Sequence, residues 1–268
     1  MSTQKLNLSA VTLLCVETRA PLLGEWAINK SIANLNFAKV VFITDLEKVT
    51  NKTVGIEYIQ ATKIVSVEDY SRWMMTELLQ YVAGTHVLVI QWDSFVINPD
   101  LWSPDFLEYD YIGPVWPHHP ETPVGNGGFS LRSTKLLRAL TDPVVKIGHP
   151  EDYFICAENK QILEEKYGIQ FAPVGIAEQF AVERTAWHPA FGFHGFFNFA
   201  KVIQTHELID LIERLPNSFL KGLDTYDLAN DLFYKKDQLA FNALAKKVSF
   251  TWKMRYRYLG LKFRYLFS

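Results

Sequence analysis

The residues with the clearest chemical potential are Gln91, Trp92 and Asp93, which follow the apolar run 87–90. Such a short run of aliphatic and β-branched residues predicts a buried strand. A carboxylate at the C-terminal end of a buried strand lies where open α/β sheets bind their ligands. Asp93 is therefore a candidate to hold a divalent cation, because Mg²⁺ and Mn²⁺ accept oxygen ligands. The alternative interpretation is a turn residue that closes the strand.

A glycine-rich segment, residues 124–133, is the second candidate. Gly127 and Gly128 allow another group to approach the backbone closely and leave room for a sugar ring. Asn126 can donate to and accept from sugar hydroxyls, whereas an Asn-Gly pair is also typical of a hairpin turn. Arg132 fits two roles equally, a phosphate contact or a pair with a carboxylate. Together with Asp93, this segment suggests a nucleotide-sugar site.

Two acidic residues, Glu151 and Asp152, follow a proline. A carboxylate in a partly buried pocket can deprotonate an acceptor hydroxyl during sugar transfer. The alternative interpretation is that acids in a first helical turn complement the helix macrodipole.

The ends of the first two predicted strands supply further candidates. Thr18 and Arg19 follow the first strand, and Asp45 ends the second. In a doubly wound fold these strand ends face the nucleotide. Arg19 suits a phosphate, and Asp45 suits a ribose hydroxyl or a uracil edge. Each also fits an ordinary surface role. The chain contains neither a G-x-G-x-x-G nor a Walker motif, which disfavours dinucleotide and ATPase functions.

Strand and helix patterns alternate along the first third of the chain, which predicts βαβ units and a mostly parallel sheet. Ser66 and Asp69 form a capping-box pattern at the start of one helix. Residues 94–130 are predicted to form a long functional loop, and residues 171–199 an aromatic-rich irregular segment. The predicted strands are 10–16, 39–45, 55–59 and 87–90, and the predicted helices are 22–34, 66–81, 133–140, 151–167, 206–214 and most of 223–268.

Composition restricts the class of protein. Of 268 residues, 49% are hydrophobic and 21% are charged, which predicts a folded core. The net charge of -2 disfavours nucleic acid as a partner. Cys15 and Cys156 are predicted to be buried thiols without a disulfide or metal role. The absence of a signal peptide and of a membrane-spanning apolar run predicts a cytoplasmic location.

The order of these motifs resembles bacterial GT-A-fold glycosyltransferases. The Gln-Trp-Asp strand end is followed by residues 110–116 (DYIGPVW), 125–132 (GNGGFSLR) and 151–152. More narrowly, this order is similar to a glycosyltransferase-like family with a DYIG…GNGGxSLR core. The resemblance implies an α/β fold with a GT-A-like, Rossmann-like doubly wound mixed sheet. We expect this domain to span residues 1–222 and a helical, basic extension to span 223–268.

The resemblance also implies roles for individual residues. Asp93 and His194 would hold Mn²⁺ or Mg²⁺ at the diphosphate of a uridine diphosphate sugar, although Phe-rich flanks also suit His194 as a core-edge residue. Asp152 would be the base of an inverting transfer, with Glu151 as its substitute. One departure is Gln91, which stands where the usual motif has a first Asp and brings no charge. The implied donor-binding set is Thr18, Arg19, Asp45, Gln91, Trp92, Asn126, Gly127, Gly128 and Arg132.

The C-terminal segment 252–267 interleaves cations with aromatic residues. This composition suits peripheral contact with anionic lipid at the inner face of a membrane, a docked helix or base stacking. Membrane contact would suit a lipid-linked acceptor, and a soluble glycan is the other expected acceptor. The alternative function is a non-catalytic GT-A-like module that binds a glycan or docks a partner, which the missing first Asp favours.

Overall fold

A computed structural model describes residues 5–248 and 259–260. These residues form two compact units, which divide between His194 and Gly195. The first unit is built on a six-stranded sheet and a smaller three-stranded sheet. In chain order the strands are β1 (Leu6–Glu17), β2 (Leu35–Thr44), β3 (Glu57–Gln60), β4 (His86–Ile90), β5 (Ser94–Val96), β6 (Tyr111–Ile112), β7 (Phe129–Ser133), β8 (Ala181–Val182) and β9 (Gly192–His194).

The helices follow most of the predicted positions. A helix predicted over 151–167 is interrupted by a π-helical turn, Phe154–Glu158, and ends as predicted at Gly168, whose φ is 61°. The helices are α1 (Pro21–Ile32), α2 (Val67–Thr76), α3 (Thr134–Ala139), α4 (Glu151–Tyr153), α5 (Lys160–Tyr167), α6 (Val174–Phe180), α7 (Phe199–Val202), α8 (Thr205–Arg214), α9 (Gly222–Tyr234) and α10 (Gln238–Lys247).

The strand order of the large sheet is β3-β2-β1-β4-β7-β6. β1, β2, β3 and β4 pair in parallel, whereas β7 is antiparallel to both of its neighbours. The predicted mostly parallel sheet is therefore mixed. The predicted α/β class, with a mixed sheet and a helical C-terminal region, is confirmed.

The side chains of the central strands alternate between two hydrophobic clusters, one on each face of the sheet. Leu14 and Val89 belong to the cluster that also contains residues of α2, α3 and α5, and Leu13 and Leu88 to the cluster that contains residues of α1. Cys15 and Cys156 are buried free thiols in opposite clusters, as predicted.

The capping box predicted for α2 is present. Ser66 Oγ accepts from the Asp69 backbone N–H, and the Asp69 carboxylate accepts from the Ser66 backbone N–H, both at 3.1 Å. These reciprocal bonds satisfy two backbone donors that a helix start otherwise leaves without partners. They fix the start of α2, which carries Tyr70 and Ser71.

The prediction that residues 171–199 are irregular was wrong in part. This segment contains α6 and the short strands β8 and β9. β9 pairs antiparallel to β5 and parallel to β8, so the three strands form the smaller sheet. Strands of two or three residues are too short for an alternating pattern, and they are ordered by their partners.

The second unit contains α7 to α10. α10 packs against α8 and α9, and Lys247 Nζ donates to carbonyls at the C-terminal end of α8, including that of Ile212 at 2.9 Å. The predicted membrane-contacting segment 252–267 lies outside the described residues except for Leu259 and Gly260. None of the described helices combines the length and the apolar character that crossing a membrane requires.

Candidate functional site

A cavity of about 450 Å³ lies where β1 and β4 end. Because β1 and β4 are parallel neighbours, the segments that follow them meet at one edge of the sheet. The cavity is lined by residues from several stretches of the first unit, namely 16–19, 64–67, 70–71, 91–92, 126–128, 149–152 and His194. Most of the predicted site residues are in this set.

The end of β4 is fixed by its neighbours. The Gln91 backbone N–H bonds to the Gly128 carbonyl at 3.1 Å and to Ser94 Oγ at 2.8 Å. The Gln91 side-chain amide donates to the Tyr70 hydroxyl of α2 at 3.1 Å. Trp92 is buried and contributes to the cavity wall. Gln91 therefore joins the end of β4 to α2 as well as facing the cavity.

Asp93, His194 and Glu183 form an ionic group beside the cavity, in which His194 lines the cavity whereas Asp93 and Glu183 do not. The β5–β9 ladder pairs Ser94 with His194, which brings the ring close to the preceding residue, Asp93. His194 Nε2 lies 3.6 Å from Asp93 Oδ1, and His194 Nδ1 lies 3.0 Å from Glu183 Oε1 and 3.2 Å from Asn126 Nδ2. Burial disfavours a charged ring, but the carboxylates of Asp93 and Glu183 raise the pKa of His194 to about 9.

The two predicted metal ligands fit a cation of the manganese type as a partial donor set. Asp93 offers a carboxylate oxygen and His194 an imidazole nitrogen, and both side chains are mostly buried. Among the described residues, no three His, Cys, Asp or Glu side chains are arranged to hold a metal ion. A cation here would therefore need further oxygen ligands from a diphosphate or water. Its binding would also displace the proton from His194.

We expect His194 to make stability depend on pH. In an unfolded chain its pKa is about 6.5. Because folding raises this pKa to about 9, the stabilisation from the protonated ring is complete below about pH 6.5 and is lost as the pH rises through about 9. Thermal unfolding of wild type and Glu183→Gln between pH 6 and 10 measures this effect, and Glu183→Gln should show the weaker pH dependence. Histidine NMR showing that His194 titrates near 6.5 would contradict the prediction.

Gly127 and Gly128 allow other groups to approach the backbone closely, but these groups are side chains of the protein itself. A Cβ at Gly127 would lie 2.3 Å from Glu151 Oε1, and one at Gly128 would lie 2.1 Å from His194 Nε2. The predicted space for a sugar ring at these glycines is thus filled by a carboxylate and an imidazole. Asn126 adopts a positive φ of 64°, and its side chain accepts from the Gly128 N–H at 2.8 Å. The segment therefore holds the site's ionic groups in place.

Gly128→Ala should lower the pKa of His194 from about 9 towards its ordinary value, because the new methyl group would displace the ring from the carboxylates that raise this pKa. The new methyl group would push His194 away from Asp93. Gly175→Ala in α6 is the matched control, since a Cβ there meets nothing within 4 Å. A Gly128→Ala variant in which His194 titrates by NMR as it does in the Gly175→Ala variant would refute this role.

Arg132 and Glu151 form a buried ion pair. Arg132 Nη2 lies 3.1 Å from Glu151 Oε1, and the two side chains are 0% and 6% exposed. Arg132 also donates to Ser130 Oγ at 3.0 Å. Of the two roles predicted for Arg132, the structure favours the carboxylate pair, because Arg132 is not among the residues that line the cavity. Burial raises the pKa of Glu151, and the guanidinium of Arg132 opposes that rise.

Asp152 is half-buried and lines the cavity. Its Oδ2 accepts from the Gly127 backbone N–H at 2.9 Å, and its Oδ1 accepts from the Tyr153 N–H at 2.9 Å. A carboxylate has about four acceptor positions, so it can still accept a hydrogen bond from a ligand hydroxyl. Of the two predicted bases, Asp152 is thus the one that is not committed to an ion pair with Arg132.

The three N-terminal candidates divide into two groups. Thr18 and Arg19 line the cavity. Asp45 does not; it caps a short 3₁₀ helix by accepting from the Glu47 N–H at 3.3 Å, and it pairs with Lys48 at 3.0 Å. The ribose or uracil contact predicted for Asp45 therefore has no support from the shape of the cavity.

Five residues of the site were not predicted. Glu17 is buried at the end of β1 and accepts from the N–H groups of Arg19 and Ala20 at 2.7 and 3.0 Å, which fixes the turn beside the cavity. The strand-end rule that selected Asp93 would also have selected it. The other four, which the sequence pattern does not mark, are Tyr70, Ser71, His149 and Glu183.

The sequence profile of a family described as "Protein of unknown function (DUF5672)" matches residues 53–194. The chain belongs to this family. The matched DUF5672 region contains Asp93, the Gly127-Gly128 segment and Asp152, and it ends at His194, whereas Thr18 and Arg19 precede it. No curated protein matches the sequence.

Solved structures similar to this DUF5672 chain include three glycosyltransferases. The galactosyltransferase LgtC, solved with donor and acceptor sugar analogues, is 11% identical over 68% of this chain and 86% of its own, with a TM-score of 0.45. GlyE of Streptococcus pneumoniae TIGR4 is 14% identical over 72% and 54%, with a TM-score of 0.42. Mannosyltransferase PcManGT of Pyrobaculum calidifontis, solved with GDP-Man and Mn²⁺, is 11% identical over 89% and 73%, with a TM-score of 0.41. Sequence identities and TM-scores at these levels say nothing about the donor, acceptor or metal of this chain.

Proposed function

We propose that this protein is a glycosyltransferase that moves a sugar from a nucleotide diphosphate donor to an acceptor hydroxyl. The observation that carries the proposal is the cavity at the ends of β1 and β4, which is lined both by His194, itself paired with Asp93, and by Asp152. The cavity thus has groups suited to a diphosphate as well as a carboxylate suited to an acceptor hydroxyl. The order of these motifs in the sequence supports the same function.

The donor side would be formed by Asp93, His194, Thr18 and Arg19. A departing nucleoside diphosphate gains negative charge, and groups that stabilise this charge lower the barrier to transfer. Asp93 and His194 would hold a divalent cation of the manganese or magnesium type, which supplies Lewis-acid stabilisation when bound. Arg19 would contact a phosphate directly.

The acceptor side would depend on Asp152. In an inverting transfer, Asp152 takes the proton of the acceptor hydroxyl as its oxygen forms a bond to the anomeric carbon. The bond from that carbon to the diphosphate breaks, and its electrons leave with the diphosphate. Glu151 would support this carboxylate from its pair with Arg132. We infer a uridine diphosphate sugar as donor and a glycan or lipid-linked acceptor, the latter suited to the basic, aromatic composition of 252–267.

The test is donor turnover with purified protein. Uridine and guanosine diphosphate sugars are incubated with and without Mn²⁺, with short glycans as acceptors, and release of nucleoside diphosphate is measured. In parallel, thermal unfolding is followed with uridine diphosphate and Mn²⁺. We expect turnover with at least one donor and a Mn²⁺-dependent rise in melting temperature with uridine diphosphate.

The two measurements separate the proposal from its alternative. Stabilisation by nucleotide without turnover of any donor would indicate a module that binds nucleotide sugars without catalysis, which the charge-neutral Gln91 favours. The absence of both effects would overturn the proposal.

A further inference from the structure

A chain of four polar side chains connects the interior of the first unit to the wall of the cavity. It begins at the buried Arg132–Glu151 pair, continues through Ser71 of α2 and ends at His149. Ser71 Oγ lies 3.4 Å from Glu151 Oε2 and 2.8 Å from His149 Nδ1. Ser71 is 1% exposed, whereas His149 is exposed and lines the cavity.

The geometry of this chain orients the imidazole of His149. Ser71 has a single hydroxyl proton. If Ser71 donates it to His149 Nδ1, the neutral ring carries its proton on Nε2. If Ser71 donates to Glu151 instead, His149 Nδ1–H donates to Ser71, and Nε2 carries a proton only when the ring is protonated. The ring therefore presents an Nε2–H donor in the first arrangement and, when it is protonated, in the second, with Nδ1 held by α2.

An anion in the cavity would need N–H donors such as the ring of His149. Three of the cavity's lining residues carry carboxylates, namely Glu17, Asp152 and Glu151, the last of which is paired with Arg132. Two lining residues carry positive charge, Arg19 and the ring of His194, which is paired with Asp93 and Glu183. Arg19 lies 3.5 Å from Glu17, so part of its charge is already balanced. A diphosphate brought into this surrounding would meet more negative than positive charge unless further donors face it.

We propose that His149 is an anion-binding residue that donates from Nε2 to a phosphoryl oxygen of a nucleoside diphosphate. Ser71 and Glu151 are its positioning residues: the Ser71 hydroxyl holds the ring, and the Glu151 carboxylate lies within 3.4 Å of that hydroxyl. The inference rests on the proposed function, because the anion it names is the donor diphosphate. It adds a contact that is separate from Asp93 and His194.

The test is titration with uridine diphosphate, with and without Mn²⁺, by isothermal calorimetry. His149→Gln should bind roughly 10- to 100-fold more weakly than wild type, the range expected for one charge-assisted hydrogen bond. His149→Lys should recover part of this loss, since it restores a positive donor. Ser71→Ala should show a smaller loss at an unchanged melting temperature. His206→Gln in α8, an exposed histidine outside the cavity lining, is the matched control and should bind like wild type.

The outcomes separate this inference from the proposed function. If wild type binds and His149→Gln binds equally well, the anion-binding role is overturned while the proposed function stands. If His149→Gln binds nucleotide normally but transfers sugar at least 100-fold more slowly, His149 acts on the acceptor proton and the inference is equally overturned. If wild type does not bind the nucleotide in either condition, the proposed function fails first. A raised KM for the donor with kcat nearly unchanged would support the inference.

Discussion

Asp93→Asn should lower the rate of sugar transfer about 1000-fold, since removing one group that stabilises transition-state charge typically has effects of 10²- to 10³-fold. The substitution keeps the shape of the side chain and removes only its charge. His194 Nε2 then loses the carboxylate oxygen that lies 3.6 Å away, and a cation at this position loses its one predicted carboxylate ligand. Binding of uridine diphosphate should also become independent of Mn²⁺.

The measurement combines initial rates with nucleotide titration. Asp100→Asn, which removes an exposed carboxylate from a 3₁₀ turn, is the matched control and should keep both properties. Asp152→Asn gives the complementary comparison, because it should slow transfer while leaving Mn²⁺-dependent nucleotide binding intact. If Asp93→Asn and Asp100→Asn transfer sugar at the same rate, Asp93 has no part in the reaction.

The position of Asp93 could be predicted because the signal is local. A short apolar run followed by a carboxylate marks a buried strand that ends at a ligand-binding edge, and β4 ends at Ile90, the position expected for it. No other residue is needed for the inference. The capping box at Ser66 and the left-handed end of α5 at Gly168 are local in the same sense. Each depends on residue types within one turn of helix.

The partners of these residues could not be predicted, because they depend on contacts between distant segments. Gly128 indicated a close approach, but only the fold shows that the approaching group is the ring of His194. Glu183 reaches that ring because β8 pairs with β9, and strands of two or three residues leave no periodic signal. The antiparallel direction of β7 follows from a connection after β4 that contains no α-helix, whereas parallel neighbours need a crossover.

Arg132 shows why residue type alone leaves a role open. Arginine binds phosphate and carboxylate with the same planar set of donors, so the sequence supported both. Burial decides between them, since Arg132 lies in β7 with its side chain 0% exposed and Glu151 within 3.1 Å. An arginine in this position acts on a ligand only through the groups it holds.

Arg132→Met should destabilise the protein by about 3–5 kcal/mol, the range measured when one member of a buried ion pair is removed. Glu151 would then be a buried carboxylate without its counter-charge, and the pKa of Glu151, already raised by burial, would rise further. Because a carboxyl group with a raised pKa favours the folded state at low pH and loses this contribution as the pH rises, Arg132→Met should be less destabilised at pH 5 than at pH 8.

A double-mutant cycle in chemical denaturation distinguishes loss of the pair from loss of packing. Arg132→Met combined with Glu151→Gln removes both charges, and it should be more stable at pH 8 than Arg132→Met alone, because no uncompensated charge remains buried. Glu151→Gln alone leaves the Arg132 guanidinium buried without its carboxylate and should also be destabilised. If the double variant loses as much stability as the two single variants do in sum, Arg132 and Glu151 act as separate packing groups. The chain of polar side chains from Arg132 through Ser71 to His149 would then not begin at an ion pair.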